Sequence, residues 1–94
     1  MSIILVSYDL NGNRKNYQEL FDGIKTLGDW CHCLKSSWLV HTKKTPAQVY
    51  NYLRSNCLDD DDHIFVTEAD LSTAIGWLPL EICDWINART PIYR

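Results

Sequence analysis

Hydrophobic and polar positions change period several times along the chain, and each change marks an element. Residues 3–8 are continuously apolar apart from Ser7, the pattern of an interior strand covered on both faces. The polar run Asp9-Leu10-Asn11-Gly12-Asn13 takes the chain out of the sheet and leaves Asp9 at the strand's C-terminal end. Tyr17, Leu20, Phe21, Ile24 and Leu27 then recur at helical spacing. Asn16 with Glu19, or Asn13, opens this helix, and Gly28 closes it.

Strand alternation returns over 29–42. Trp30, His32 and Leu34 share one parity, and Cys31, Cys33 and Lys35 share the other. Ser36-Ser37 reads as a bend, followed by a short strand over 38–42, so the region is a hairpin or a bulged strand pair. Thr45-Pro46-Ala47-Gln48 is the clearest local signal. Thr45 caps a helix, Pro46 fits its first turn, Gln48 completes a capping box, and Val49 and Leu53 supply the inward stripe. That helix ends near Ser55 or Asn56.

Four adjacent carboxylates, Asp59, Asp60, Asp61 and Asp62, cannot be buried together, so they predict a solvated turn. His63-Ile64-Phe65-Val66-Thr67 follows as a strand. Beyond it, Thr73, Ile75 and Trp77 alternate as an edge strand would, and Pro79 opens a short helix over 80–87. Thr90-Pro91-Ile92-Tyr93-Arg94 is a tail. The order βαββαβ predicts a single α+β domain over 1–94, ferredoxin-like, with a core over 3–67 and an added C-terminal strand or short helix within 68–94. Two helices cover only one face of such a sheet. The other face calls for the tail or a second subunit, and a homodimer is expected.

Composition narrows this picture. At 94 residues the chain sits near the lower limit for one core, and its four Trp and five Tyr add large buried areas. A net charge of −3 argues against a broad nucleic-acid binder. No apolar run spans a bilayer, and MSIILVSYD is a poor signal peptide, so a cytoplasmic location with no membrane partner is expected. Cys31, Cys33, Cys57 and Cys83 then read as reduced thiols.

A family likeness emerges from Ser7-Tyr8-Asp9-Leu10, Lys15-Asn16-Tyr17, Leu27-Gly28 with Trp30, Lys35-Ser36-Ser37-Trp38-Leu39-Val40, the Thr45 and Gln48 helix start, and Asp61-Asp62-His63-Ile64-Phe65-Val66. In this order and spacing the chain resembles the Cas2-like superfamily over about residues 3–78. It is most similar to the free-standing, SinR-like branch found in bacteria and phages. The resemblance implies a homodimer packed through its sheets. It also implies a role for Asp9, the acid ending the first strand, which in some relatives binds a metal near the dimer axis. Relatives include metal-dependent nucleases, toxin-type ribonucleases and structural adaptors that hold DNA. The chain departs from the CRISPR-associated members in lacking an arginine-rich segment after the first strand.

The candidate chemistry is therefore as follows. Asp9, with Ser7 and Ser37 nearby, is the catalytic candidate; two Asp9 carboxylates in a dimer would share Mg²⁺ or Mn²⁺. The competing reading is that Asp9 caps the turn through the Asn11 or Gly12 amides. Arg14, Lys15, Lys43 and Lys44 are candidate nucleic-acid contacts. Trp38, Val40 and Trp77 are candidate interface residues. His63, beside the acids, reads as a pH-sensitive turn residue, and His32 and His41 do not make a zinc motif. Three functions follow: a non-catalytic homodimeric binding or adaptor protein that contacts nucleic acid or protein, a metal-dependent nuclease, or a phage- or defence-associated regulator acting by protein contact.

Overall fold

Strand β1 (Ser2–Asp9) is paired on both sides and organises everything else. In the computed structural model, which describes residues 1–11 and 17–89, it is followed by α1 (Tyr17–Lys25), β2 (Asp29–Leu34), β3 (Ser37–Thr42), α2 (Pro46–Asn56), β4 (His63–Glu68) and α3 (Leu80–Arg89). The four strands form one antiparallel sheet in the order β2-β3-β1-β4, so the chain is α+β as its periodicities predict. The Asn13 and Asn16 caps and the 90–94 tail lie outside the described residues.

Register decides which side chains share a face. Ile4 lies opposite Val40 and Val6 opposite Trp38. These four, with Tyr8, face α1 and α2 and meet Leu20, Ile24, Leu27, Val49 and Leu53 in the core. Fully burying an aliphatic or aromatic side chain of this size contributes roughly 1.5–3 kcal/mol. Trp38 is 1% exposed, and its indole Nε1–H donates to the Tyr8 hydroxyl at 3.0 Å. Burial raises the Tyr8 pKa, and that same hydrogen bond opposes the rise. The interface reading of Trp38 and Val40 is thereby corrected. Pairing with Val6 and Ile4 turns both toward the helices, and their surface is spent inside the protomer.

The opposite face is closed only in part. Ile3, Leu39 and Cys31 are buried there, and α3 packs against β2 with Ile82, Trp85 and Ile86 half-buried. Arg89 ties the end of α3 down. Its guanidinium stacks 4.3 Å from the Trp85 ring centroid, donates to the Trp85 carbonyl at 3.1 Å and lies 3.6 Å from Asp29. The short helix expected over 80–87 is present and runs two residues further. The edge strand read from Thr73, Ile75 and Trp77 is not formed. An Ala74 N–H to Leu71 carbonyl bond closes a turn, and 74–78 run on with no strand pairing.

Local chemistry explains the element ends. The capping box at α2 is complete: Thr45 Oγ1 accepts from the Gln48 amide at 3.2 Å, and Gln48 Oε1 accepts from the Thr45 amide at 2.9 Å. The hairpin turn falls on Lys35 and Ser36, one residue earlier than expected, because Ser37 is already paired with Ser7. The anticipated bulge is a register shift between Cys31 and Leu34. Helix α1 stops at Lys25, short of Gly28, and Gly28 serves a different purpose: a Cβ there would meet the His41 carbonyl oxygen at 2.5 Å.

Gly23 marks the closest approach of α1 to the end of α2, where an added Cβ would stand 2.5 Å from Cys57 Sγ. Gly23→Ala is expected to lower stability by about 1–2 kcal/mol, because overpacking outweighs the helix propensity gained. In a Cys57→Ala background the same change is expected to be neutral or stabilising. Urea denaturation of the four proteins of this cycle checks both signs.

Candidate functional site

The C-terminal end of β1 and the N-terminal end of β4 meet at one corner of the sheet. Val6 lies opposite Val66, Ser7 opposite Phe65, and Asp9 opposite His63. On the other side of β1, Ser7 lies opposite Ser37. Strand parity therefore collects Ser7, Asp9, Ser37, His63 and Phe65 on the face turned away from α1 and α2. Ser7 Oγ and Ser37 Oγ are 3.2 Å apart. An open groove of about 190 Å³ is lined by Ser7, Tyr8, Asp9, His63, Ile64 and Phe65. The structure thus brings the three sequence-derived candidates Asp9, Ser7 and Ser37 to one place.

His63 is the member the sequence reading missed. Read along the chain, it belongs to the acidic run. Read across the sheet, it is the neighbour of Asp9. The signal that finds it is register: once Val6 is matched to Val66, counting outward along antiparallel strands sets Asp9 beside His63. A carboxylate and an imidazole on adjacent strands, with two hydroxyls behind them, can pass a proton or offer donors to a cation.

The acidic turn supports this corner. Asp60 and Asp61 are exposed, as expected of a solvated turn, but Asp62 is partly buried. Its Oδ1 accepts from the Asn11 amide at 2.7 Å, and its Oδ2 accepts from the Asp59 amide at 2.8 Å. Asn11 Nδ2 lies 3.4 Å from His63 Nδ1. One carboxylate thus latches the exit from β1 to the entry into β4. The capping role read for Asp9 at Asn11 is performed by Asp62, and Asp9 itself is exposed at the mouth of the groove.

The basic candidates do not join this corner. Lys43 and Lys44 are exposed at the far end of the sheet, where they line a second groove of about 430 Å³ with Gly28, Asp29 and His41. The length of β1, about 24 Å at ~3.4 Å per residue, separates them from Asp9. Arg14 and Lys15 lie outside the described residues. The tryptophans also divide. Trp38 is in the core, Trp30 is half-exposed with the Lys25 ammonium 4.8 Å from its ring, and Trp77 is 99% exposed.

Among the described residues no group of three or more His, Cys, Asp and Glu side chains is positioned to hold a metal. Mg²⁺ takes near-octahedral oxygen coordination, so Asp9 of one protomer supplies too few ligands. His32 is engaged elsewhere, stacked on Trp38 at 4.1 Å between centroids with its Nε2–H donating to the Lys35 carbonyl at 3.1 Å. The four cysteines are free. Burial, reinforced by neighbouring Cys33, pushes the Cys31 thiol up to about 11, so it is a packing group and not a nucleophile. Among the described residues no helix is long and apolar enough to cross a membrane. No family model, curated protein or solved structure matches the chain.

Because Asp62 carries two charge-assisted backbone bonds, Asp62→Ala is expected to cost about 1–2 kcal/mol. It is also expected to speed hydrogen exchange at the Asn11 amide. Asp61→Ala, in the exposed part of the same turn, is expected to change neither. Denaturant midpoints and amide exchange on the two variants test the assignment.

Proposed function

We propose that this chain is a non-catalytic, homodimeric binding or adaptor protein of the Cas2-like kind, acting in the cytoplasm. The strand order β2-β3-β1-β4, with α1 and α2 packed on one face, supports a ferredoxin-like βαββαβ reading. The observation that carries the functional reading is the apolar surface left uncovered on a chain this small. Phe65 is 65% exposed on the open face, and Ile75, Trp77 and Leu80 project from the segment beyond it. Isolated exposed side chains are ordinary, but several large aromatic and aliphatic groups exposed on so small a chain suit a contact surface. A net charge of −3, and lysines remote from Asp9, favour a protein partner over a broad nucleic-acid one. Free cysteines fit a reducing compartment.

A second reading is supported by the Asp9, His63, Ser7 and Ser37 corner. Here a homodimer uses paired Asp9 carboxylates with Mg²⁺ or Mn²⁺ to cleave phosphodiesters. The groups present suit it only in part: Asp9 is an accessible hard-oxygen ligand, whereas among the described residues no group of three or more His, Cys, Asp and Glu is placed to hold a cation, and the nearby Asp62 carboxylate is taken up by the Asn11 and Asp59 amides.

Purified protein incubated with labelled single- and double-stranded DNA and RNA, with Mg²⁺, Mn²⁺ or EDTA, separates the two readings. The expected result is no metal-dependent cleavage by the wild type and a solution mass twice 10.9 kDa. Cleavage abolished in Asp9→Ala would overturn the non-catalytic reading in favour of the second.

A further inference from the structure

Strand β2 carries two thiols, Cys31 and Cys33, at the point where its pairing with β3 slips. Cys31 lies opposite Leu39 and is 4% exposed, on the side where α3 packs against β2. Cys33 falls inside the register shift between Cys31 and Leu34 and is half-buried. One thiol is sheltered, and its neighbour reaches solvent. Neither belongs to the core cluster or to the corner around Asp9. The other two cysteines are engaged elsewhere: Cys57 ends α2 against Gly23, and the Cys83 thiol on α3 donates to the Leu78 carbonyl at 3.7 Å.

The surroundings of this pair suit an anionic sulfur complex. The Cys33 thiol donates to the Ser37 carbonyl at 3.3 Å, and the Cys33 and Leu34 amides lie against the same sulfur, where they favour its thiolate. Cys33 is near enough to act on Cys31 through its charge, and so is the Arg89 guanidinium, which favours a thiolate there. Arg89 is itself incompletely satisfied. Its Nε is sealed from water with no hydrogen-bond partner among the described residues, and its carboxylate neighbour Asp29 stands 3.6 Å away and largely exposed. A sheltered cation with a donor to spare, beside two protonated thiols, lacks an anion. Spacing points the same way. An undistorted strand sets alternate residues about 6.8 Å apart at ~3.4 Å per residue, whereas a disulfide closes Cα atoms about 5.5–6 Å apart. An ion between the sulfurs adds the missing reach, because two metal–sulfur bonds of roughly 2.3 Å span about 4.6 Å.

We infer that Cys31 and Cys33 form a two-coordinate site for a soft monovalent cation of the copper(I) class, with Arg89 balancing the charge of the complex. Softness selects the ion, since thiolates favour Cu(I) over hard cations. Ligand number selects it too. A structural Zn²⁺ takes four ligands, and among the described residues no group of three or more His, Cys, Asp and Glu is placed to hold a metal. His32, between the two thiols in sequence, is stacked on Trp38 and bonded to the Lys35 carbonyl. A two-coordinate ion needs only the two sulfurs. Each thiol releases its proton as its sulfur binds, and no electron moves. Two thiolates and one monovalent cation then carry a single net negative charge, which the Arg89 guanidinium meets. Half-buried Cys33 is the entry, and Cys31 is the sheltered ligand. Through Arg89, ligation ties β2 to the end of α3, so the bound ion stabilises that helix. The site is independent of the adaptor reading and of any dimer.

Anaerobic titration of the reduced full chain with Cu(I), delivered from its coloured bicinchoninate complex, decides this. The wild type is expected to take one ion per chain, with an X-ray absorption spectrum showing two sulfur neighbours. Cys33→Ser is expected to weaken binding at least about a hundredfold. Cys33 is half-buried, so this variant is expected to keep its circular dichroism; Cys31→Ser, at a buried position, serves as the second ligand variant. Arg89→Gln is expected to weaken binding about tenfold, and Arg89→Lys to restore most of it. The double variant Cys57→Ser/Cys83→Ser is expected to bind as the wild type does. Cu(I) is also expected to raise the thermal midpoint of the wild type and to leave that of Cys33→Ser unchanged. A wild type that holds Cu(I) no more tightly than Cys33→Ser overturns the site. An affinity lost with Cys57 and Cys83, or a shell of three or more sulfurs, overturns it as well.

Discussion

Everything in this molecule depends on β1 being hydrogen-bonded on both sides. Its register with β3 and β4 assigns each neighbouring side chain to a face, and a slip of one residue in either pairing would reverse that assignment. With Ile4, Val6 and Tyr8 turned to the helices, Trp38 and Val40 join them and the core closes. The alternate residues Ser7 and Asp9 are turned the other way, where they meet Ser37, Phe65 and His63. The core and the candidate site are two faces of one pairing decision. The apolar matches, Val6 with Trp38 and with Val66, enforce it because they resist being turned to water.

The acidic turn shows how a run of like residues divides its work. Four adjacent carboxylates repel one another, and the fold places Asp60 and Asp61 in solvent, where that repulsion is screened. Asp62 turns inward, satisfying two backbone amides at the junction of β1 and β4. The consequence for chemistry is that Asp9 is relieved of holding the Asn11 amide, while the Gly12 alternative lies outside the described residues. At Asn11, a carboxylate that must hold the turn is Asp62, so Asp9 presents its oxygens to the groove.

How much of this was legible in the sequence follows from the range of each interaction. The α2 capping box lies within four residues, and Thr45, Pro46 and Gln48 announce it without reference to anything distant. Strand identities were legible for the same reason. The hairpin turn was displaced by one residue because no Gly or Asn pins it, and the pairing of Ser37 with Ser7 decides it from thirty residues away. Trp38 and Val40 read as interface residues because strand parity alone leaves open which face the helices cover. His63 was hidden by its acidic neighbours, since its partner Asp9 becomes adjacent only when the sheet forms. The strand pattern at Thr73, Ile75 and Trp77 was visible, but a strand exists only when paired, and in the protomer 74–78 pair with neither edge of the sheet.

The two faces of the sheet are unequally finished, and that inequality bears on the tail. On the helix side, Leu20, Ile24, Val49 and Leu53 are wholly buried. On the other, α3 has no fully buried residue, and it seals the Arg89 Nε from water with no hydrogen-bond partner among the described residues, which costs about 1–3 kcal/mol. An element seated this shallowly gains little from its own protomer. A partner surface covering Ile75, Trp77 and Leu80 would stabilise the helix they lead into as well as the contact itself. Were a second copy to cover them, the order of residues 70–89 would depend on protein concentration, because a partner that binds only the folded form adds its free energy to folding.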